Sequence, residues 1–531
     1  MLLSFGDLVR RPVYTAWQSA SSTYKSISLT ILVIATWYVL WRLWRFVLPK
    51  YLKPNEPKEL PYLIPFLGHS LSFFRNSDGL IERGLNYTGR THEPFALQVG
   101  SKKFYIVTAP QDVAEVYRKV ATLNWDGHLN QILTNFGFKG DALKLAWHKP
   151  IPGEKCYIYK NPINPKQLSL IHFIEEVYIA QLLPGAHMDE MCEAFIVSLK
   201  DSIQPSKMDF CTVERCPKRR LVSLKSLCRY TLVQAATRSM FGDTLHRINP
   251  DIRQNMLDFN DNAWMVFFGL PEVFSQAVSK ARRTMTKTMK EFVSLPEAER
   301  AGQAWGIRQI LKAQEIVGID LDSRACMLLL IYWAANSNEY NISFWLIAHL
   351  VFNEQLLDRV RTELDAAWKD DELDIKYLCA NAPALDGAFH ESLRLNGGAM
   401  MSRKVLEPTV IGNKLLRRGT NVLMPSRQLH MNEQVWGDNN KQFDPERFMV
   451  DSSLLKHSSY RPFGGGVSYC PGRVMAKEQV YALIAILFRR FKLQLAPEAN
   501  KGFPTLDKTT PSLGITGPVK GMDVILEMTE A

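Results

Sequence analysis

A large undivided globule built on long apolar helices, carried behind one membrane-spanning segment, is the fold class this sequence predicts. Three observations predict it. The chain has 531 residues with 46% hydrophobic and 11% aromatic composition, enough to bury a large core. Length alone would divide it into roughly three or four ordinary domains, but beyond the N-terminal segment no Gly/Ser-rich stretch, low-complexity tract or internal repeat marks a boundary. Near the N-terminus an uncharged apolar run is long enough to leave water altogether.

In chain order, residues 1–25 form a tail containing Arg10, Arg11 and Lys25. Ser26 to Trp41 carry no charge, and apolar residues continue past Arg42 and Arg45 to Leu48. As a helix, 26–48 extends roughly 35 Å, enough to cross a bilayer with Trp37, Trp41 and Trp44 near one interface. A cleavable signal peptide has a shorter apolar core and a small-residue cleavage site, and neither stands out. Lys50, Lys53 and Lys58 extend the positive charge on the C-terminal side, which by the positive-inside rule leaves the main domain in the cytosol. Pro49, Pro54, Pro57, Pro61 and Pro65 predict an extended hinge over 49–68, with a turn at Gly68, and 69–531 is the globule.

A second apolar run, Cys326 to Leu350, has the centre Ala335-Asn336-Ser337-Asn338-Glu339, too polar for lipid, and predicts one long helix through the core. Glu391 and Arg394 are three residues apart, share a helix face and can pair, and Arg447 can bring a second guanidinium to the same carboxylate. Exposed, such a pair contributes about 0–1 kcal/mol. Buried, the loss of one member leaves an uncompensated charge at roughly 3–5 kcal/mol, so these residues are assigned to holding the core.

Near the C-terminus, Phe463-Gly464-Gly465-Gly466-Val467-Ser468-Tyr469-Cys470-Pro471-Gly472 precedes a helix-compatible run, Val474 to Phe488. The glycines allow close backbone approach and positive φ, and Pro471-Gly472 forces a turn, so backbone N–H groups can ring the Cys470 sulfur. In isolation Cys-Pro-Gly is an ordinary turn with an incidental cysteine; the full pattern is a glycine-rich loop that can present one thiolate.

Charge and cysteines narrow the partners. The formal net charge of +11 suggests acidic ones, but Lys and Arg are dispersed and no nucleic-acid signature is present, which favours an anionic membrane surface and an acidic redox protein. Eight cysteines are too few and scattered for a disulfide framework, which suggests a reducing compartment; Cys156, Cys192, Cys228, Cys326 and Cys379 read as ordinary residues. Cys211 and Cys216 lack a second Cys/His pair at zinc spacing.

The pattern Phe-x-x-Gly-x-x-x-Cys-x-Gly at 463–472, Glu391-Ser392-Leu393-Arg394 and Pro445-Glu446-Arg447-Phe448 together resemble the three signature motifs of the cytochrome P450 family, in the family's order. The resemblance covers roughly residues 60–528. It implies a mainly α fold with small β-sheets, a single haem domain behind an N-terminal transmembrane helix, and haem b bound through Cys470, with Phe463, Gly466 and Gly472 in the cofactor loop. Where the family often has Arg or His two residues before the cysteine, this chain has Ser468, so another cation must meet the haem propionates, and Arg403 is the candidate. Aligning the family's distal-helix pattern places Ala335 at its glycine, Ser337 at its acid and Asn338 at its threonine. Ser337 and Asn338 can hydrogen-bond but carry no acidic proton at neutral pH, so proton delivery needs ordered water or Glu339. The plainer alternative is that Asn338 only satisfies a backbone group or opens a small helix bulge.

Trp333-Ala334, Asn338, Ser343-Phe344-Trp345, Gly269-Leu270-Pro271, Arg403 and Ser512-Leu513-Gly514-Ile515 resemble the branch containing sterol 7α- and 12α-hydroxylases and prostacyclin synthase. Two activities follow from that branch: a monooxygenase fed by NADPH-cytochrome P450 reductase, or a reductase-independent endoperoxide isomerase. A non-catalytic haem-thiolate sensor is a third possibility. The resemblance puts Gly397, Gly398, Ala399, Met400, Met401 and Leu513 against the substrate and Trp264 to Leu270 over the entrance. These wall residues are small or flexible and uncharged, which favours a lipophilic substrate such as a sterol, triterpenoid or other terpenoid intermediate. Trp264, Phe267 and Phe268 are read either as membrane-dipping or as plain core. The implied location is the endoplasmic reticulum membrane, single-pass, with the haem domain facing the cytosol.

Overall fold

The computed structural model describes residues 21–151, 163–216 and 219–530. The tail through residue 20, with Arg10 and Arg11, and Cys156 lie outside the described residues.

Helix α1 runs from Ser22 to Leu52. Ser21 caps it, its hydroxyl accepting the Tyr24 N–H at 3.3 Å, and no side chain from Ser22 to Arg42 is buried. It is longer than the predicted 26–48. A π-turn at Leu43–Val47 lets the helical path continue through Pro49, which lacks the N–H a regular turn would use. The proline-rich segment that follows is also tied down more than a free hinge. The Tyr38 hydroxyl donates to the Leu63 carbonyl at 2.9 Å, Arg42 donates to the Tyr62 carbonyl at 3.0 Å, and Arg45 pairs with Glu59 at 2.8 Å. Gly68 turns the chain with φ +59°, and a Cβ there would lie within van der Waals clash of the Gln98 carbonyl.

The body is mainly helical with small sheets. Short strands β1 (Lys58–Glu59), β2 (Phe95–Val99), β3 (Lys102–Ile106), β4 (Leu123–Asn124), β5 (Met400–Val405) and β6 (Asn421–Pro425) form one sheet in the order β1-β2-β3-β6-β5-β4. A four-stranded sheet joins Phe491–Leu495, Ile525–Glu530, Arg219–Ser223 and Thr212–Cys216.

Four helices build the core beside the site: α2 (Leu321–Asn336), α3 (Glu339–Val351), α4 (Pro383–Asn396) and α5 (Arg473–Arg490). Asp320 caps α2 by accepting the Ser323 N–H at 3.1 Å. Helix α5 is buried on all sides from Gln479 to Leu487, and α3 is nearly so, which is why both sequences read as unbroken apolar runs. The single long helix expected over 326–350 is two helices on one path, broken at Ser337 and Asn338. Asn338 sits at φ −119° and ψ −33°, and its side chain turns outward to bond another segment. A local run of apolar residues cannot reveal such a break, because its cause lies about 177 residues away.

Candidate active site

The cysteine loop closes on itself. The Cys470 N–H donates to the Phe463 carbonyl at 3.0 Å, and the Gly464 N–H to the Arg461 carbonyl at 3.2 Å. Gly464 and Gly466 lie at φ +76° and +61°, where L-residues are strained. A Cβ on Gly465 would come 3.0 Å from the ring of Tyr117, a tight contact, so the loop lies close against that ring. Cys470 is exposed, whereas Cys192, Cys211, Cys228 and Cys326 are buried and Cys379 is partly so. Surrounding protein pushes the Cys470 thiol pKa up, while the Gly472 backbone N–H and the Arg473 guanidinium pull it down and the Glu339 carboxyl raises it further. Val467 and Tyr469 are exposed beside the loop, and Arg473 stacks over the Tyr469 ring at 4.3 Å.

Arg403 reaches this loop from β5. It is 1% exposed, donates to the Ser468 hydroxyl at 2.6 Å and to the Gly465 carbonyl at 3.3 Å, and lies over the rings of Tyr117 and Trp125. The structure thus joins Ser468, which lacks a charge, to the cation expected to compensate for it. No carboxylate acts on Arg403 among the described residues, and its Nε has no acceptor. Burial lowers its pKa. Nearby, burial and the Arg403 charge push His128 down to about 4, leaving it neutral. A buried guanidinium without a counter-ion is costly, and an anion from outside the chain would satisfy it.

Three segments converge opposite. The Gly398 N–H donates to the Gly514 carbonyl at 2.9 Å, and the Thr516 N–H to the Asn396 carbonyl at 2.9 Å. The Asn338 amide oxygen accepts the Ile515 N–H at 2.7 Å, while its NH₂ donates to the Ser337 hydroxyl at 2.9 Å. A Cβ on Gly514 would overlap the Asn338 amide, so this approach requires glycine. Met401 accepts a hydrogen bond from Tyr117 at its sulfur, at 2.6 Å. Gly397, Gly398, Ala399, Met400, Met401 and Leu513 therefore lie on adjoining segments that meet the helix break. Ala334 is exposed although Trp333 and Asn336 beside it are buried, so the end of α2 borders open space.

Glu339, one residue past Asn338, faces α5. With the Gln479 amide oriented nitrogen-first, it donates to both Glu339 oxygens, one at 3.0 Å. Burial pushes the Glu339 carboxyl up to about 8, so it carries a proton at neutral pH. In the segment 264–270, Phe267 packs on Trp333 at 4.6 Å and Trp264 stacks on Phe74 at 5.6 Å. Trp264 is buried and Phe267 and Phe268 are partly buried, which makes these aromatics core; the exposed apolar residues of this region are Val273 and Phe274.

Behind the loop, Glu391 and Arg394 are both 0% exposed and paired at two points, 2.8 and 2.7 Å. Arg394 also donates to the carbonyls of His430 at 2.8 Å and Asn440 at 2.6 Å, and Arg447 stands 3.4 Å from Glu391. His430 continues the network. Burial pushes its pKa down to about 3, so the imidazole is neutral. Its Nδ1 faces the Arg394 carbonyl at 3.0 Å and so carries the proton, leaving Nε2 to accept the Arg461 N–H at 3.0 Å. The Arg461 carbonyl in turn receives Gly464, so the buried ion pair and the cysteine loop share one hydrogen-bonded path. The sequence reading missed His430, Tyr117 and Trp125. None stands in a motif; only packing brings them to the loop.

An accessible sulfur without a side-chain partner, an uncompensated buried guanidinium that reaches the same loop from β5 and open space beside Ala334 fit a haem. Cys470 could hold the iron and Arg403 a propionate, in surroundings of glycine, methionine and aromatic side chains suited to a flat apolar ring.

The cytochrome P450 family model matches residues 228–518, more than half of the 531-residue chain. The cytochrome P450 monooxygenase poxD of Penicillium oxalicum is 24% identical over 455 residues, covering 83% of this chain and 88% of the relative. The cytochrome P450 monooxygenase efuG of Hormonema carpetanum is 23% identical over 573 aligned residues, 96% of each chain, and calL of Penicillium decumbens is 23% identical over 516, covering 89% and 92%. The motif loop, the helical body and this match agree: the chain belongs to the cytochrome P450 family and is a haem-dependent monooxygenase.

Proposed function

We propose that this monooxygenase is anchored by α1 in the endoplasmic reticulum membrane, faces the cytosol, and oxidises a lipophilic substrate, a sterol, triterpenoid or other terpenoid intermediate. Electrons come from NADPH through NADPH-cytochrome P450 reductase. The observation that carries this reading is the run of uncharged residues at Gly397 to Met401 and Leu513, on segments that bond each other and the helix break at Asn338; we take it as the substrate wall. An apolar wall desolvates hydrocarbon and offers a charged substrate nothing. The relatives' names as monooxygenases support dioxygen chemistry over endoperoxide isomerisation.

Haem bound through a thiolate supplies an electron-rich iron that favours O–O cleavage. The chain's own residues do the rest. Cys470 is the ligand, held by the Phe463 carbonyl and the Gly472 N–H. Phe463, Gly466 and Gly472 shape the loop, and Arg403 neutralises a propionate in place of a cation at Ser468. Asn338 and Ser337 keep the helix open beside the reacting centre. The Asn338 oxygen is already engaged by Ile515, so its part is to fix the wall, and Glu339 is the protonated group nearest in sequence to feed an ordered water chain.

The test is purified full-length protein with haem, given sterols, terpenoids and endoperoxides with and without NADPH and reductase. Oxygenated product is expected only with both. Product from an endoperoxide without NADPH would establish isomerase chemistry instead. In the same assay Asn338→Ala is expected to keep its haem and to lose about tenfold in product per NADPH consumed, the share of one well-placed hydrogen bond. Unchanged coupling would show that Asn338 only ends a helix.

A further inference from the structure

The foot of α1 carries three cations, Arg42, Arg45 and Lys50, and only one of them is matched by a carboxylate. Arg45 pairs with Glu59, which also receives Lys103 at 3.3 Å. Arg42 and Lys50 have no acidic partner among the described residues. Arg42 donates to the Tyr62 carbonyl and, at 3.2 Å, to the Tyr38 hydroxyl, and Lys50 lies over the Tyr87 ring at 5.2 Å. Between them the helix stands off the body and leaves an open cleft of about 390 Å³, within the usual range of about 300–1,000 Å³ for ligand sites. Val39, Leu43, Phe46 and Val47 from α1 face Pro61 and Tyr87, the two cations stand on the same walls, and no carboxylate lines it.

Its depth is defined by the helix. The uncharged run begins at Ser26 and Arg42 is the first cation after it, so Arg42 and Lys50 flank the end of the span where interfacial headgroups lie. Toward Ser22 the cleft opens onto a helix face with no buried residue.

We propose that this cleft binds an anionic glycerophospholipid of the cytosolic leaflet, its phosphate between Arg42 and Lys50 and the start of one acyl chain along Val39, Leu43 and Val47. The proposal rests on α1 being the membrane anchor. Free phosphate would leave the apolar wall wet, and a zwitterionic headgroup would bring its own cation to a site that already has two. A lipid seated there would fill the crease between anchor and body and fix the angle between them.

The test is the full-length holoenzyme in vesicles of phosphatidylcholine with a minor share of phosphatidylserine. Flotation on phosphatidylcholine alone reads the anchor, and mass spectrometry of the lipids retained after detergent extraction reads the site. Wild type is expected to float and to retain phosphatidylserine enriched about 25-fold over its share, about fivefold for each cation. Arg42→Gln with Lys50→Gln is expected to float equally and lose the enrichment. Val39→Trp, which fills the cleft but keeps both cations, is expected to lose it too, whereas Lys25→Gln near the other end of the helix is not. Failure of wild type to float would overturn the anchor and the lipid site together. Flotation without enrichment, or enrichment that survives in Val39→Trp, would overturn the site alone and assign any preference to diffuse surface charge.

Discussion

Cys470→Ser is expected to abolish the reduced carbon-monoxide absorption band that gives the family its name, and to lower substrate oxidation by at least about a thousandfold, or about 4 kcal/mol in the barrier. A serine hydroxyl does not ionise near neutral pH and cannot replace a thiolate as a soft, electron-donating ligand. The polypeptide is expected to stay folded. Cys470 is exposed, and its backbone bond to the Phe463 carbonyl does not depend on the side chain. Circular dichroism and the melting temperature of the haem-free protein should therefore match wild type within experimental scatter, while the spectrum changes. A variant that kept the band would assign the ligand to another cysteine, and Cys379, only partly buried, would be the first to examine.

The second large effect is one of stability. Removing either member of the Glu391–Arg394 pair leaves its partner charged in a site with no exposure to water, at roughly 3–5 kcal/mol. That is a large part of a typical total of about 5–15 kcal/mol. Arg394→Met is expected to be worse than Glu391→Gln. Glutamine still accepts from Arg394 and from the Asp444 N–H, which bonds Glu391 at 3.1 Å, and Arg447 remains anchored on the carbonyls of Trp436 and Asn439. Methionine abandons the carbonyls of His430 and Asn440 as well as the carboxylate. Urea midpoints of the two variants, compared with wild type, read the order directly. Through His430 and Arg461 the damage should reach the cysteine loop, so haem retention is expected to fall in step with stability. Equal midpoints for wild type and Arg394→Met would show that the pair is not holding the core.

Much of the site was legible because its chemistry is local. Ten consecutive residues carry a cysteine, three glycines and a Pro-Gly turn, and those types at that spacing leave few backbone shapes open. The three-residue spacing of Glu391 and Arg394 fixes a shared helix face whatever surrounds it. Likewise an uncharged run of apolar residues long enough to span lipid is a property of composition, and α1 follows from it.

What the sequence could not decide is which distant groups meet. Whether Glu391 and Arg394 are worth a fraction of a kcal/mol or several depends on burial, and burial comes from helices packed around them. Arg403 was nameable as a cation, but its position on Ser468 and its lack of a counter-ion exist only where β5 meets the loop. The break at Asn338 is imposed from the turn at Ile515, and the tautomer of His430 from Arg394 and Arg461. By itself, then, the sequence determined the chemistry on offer: one glycine-rich cysteine loop, one Glu–Arg pair, one long apolar helix near the N-terminus and an uncharged stretch at 397–401. The tertiary structure decided which of those charges lie out of water and which remain unmatched, because the free energy of a charge is set by the dielectric and the partners around it, and both are long-range products of packing.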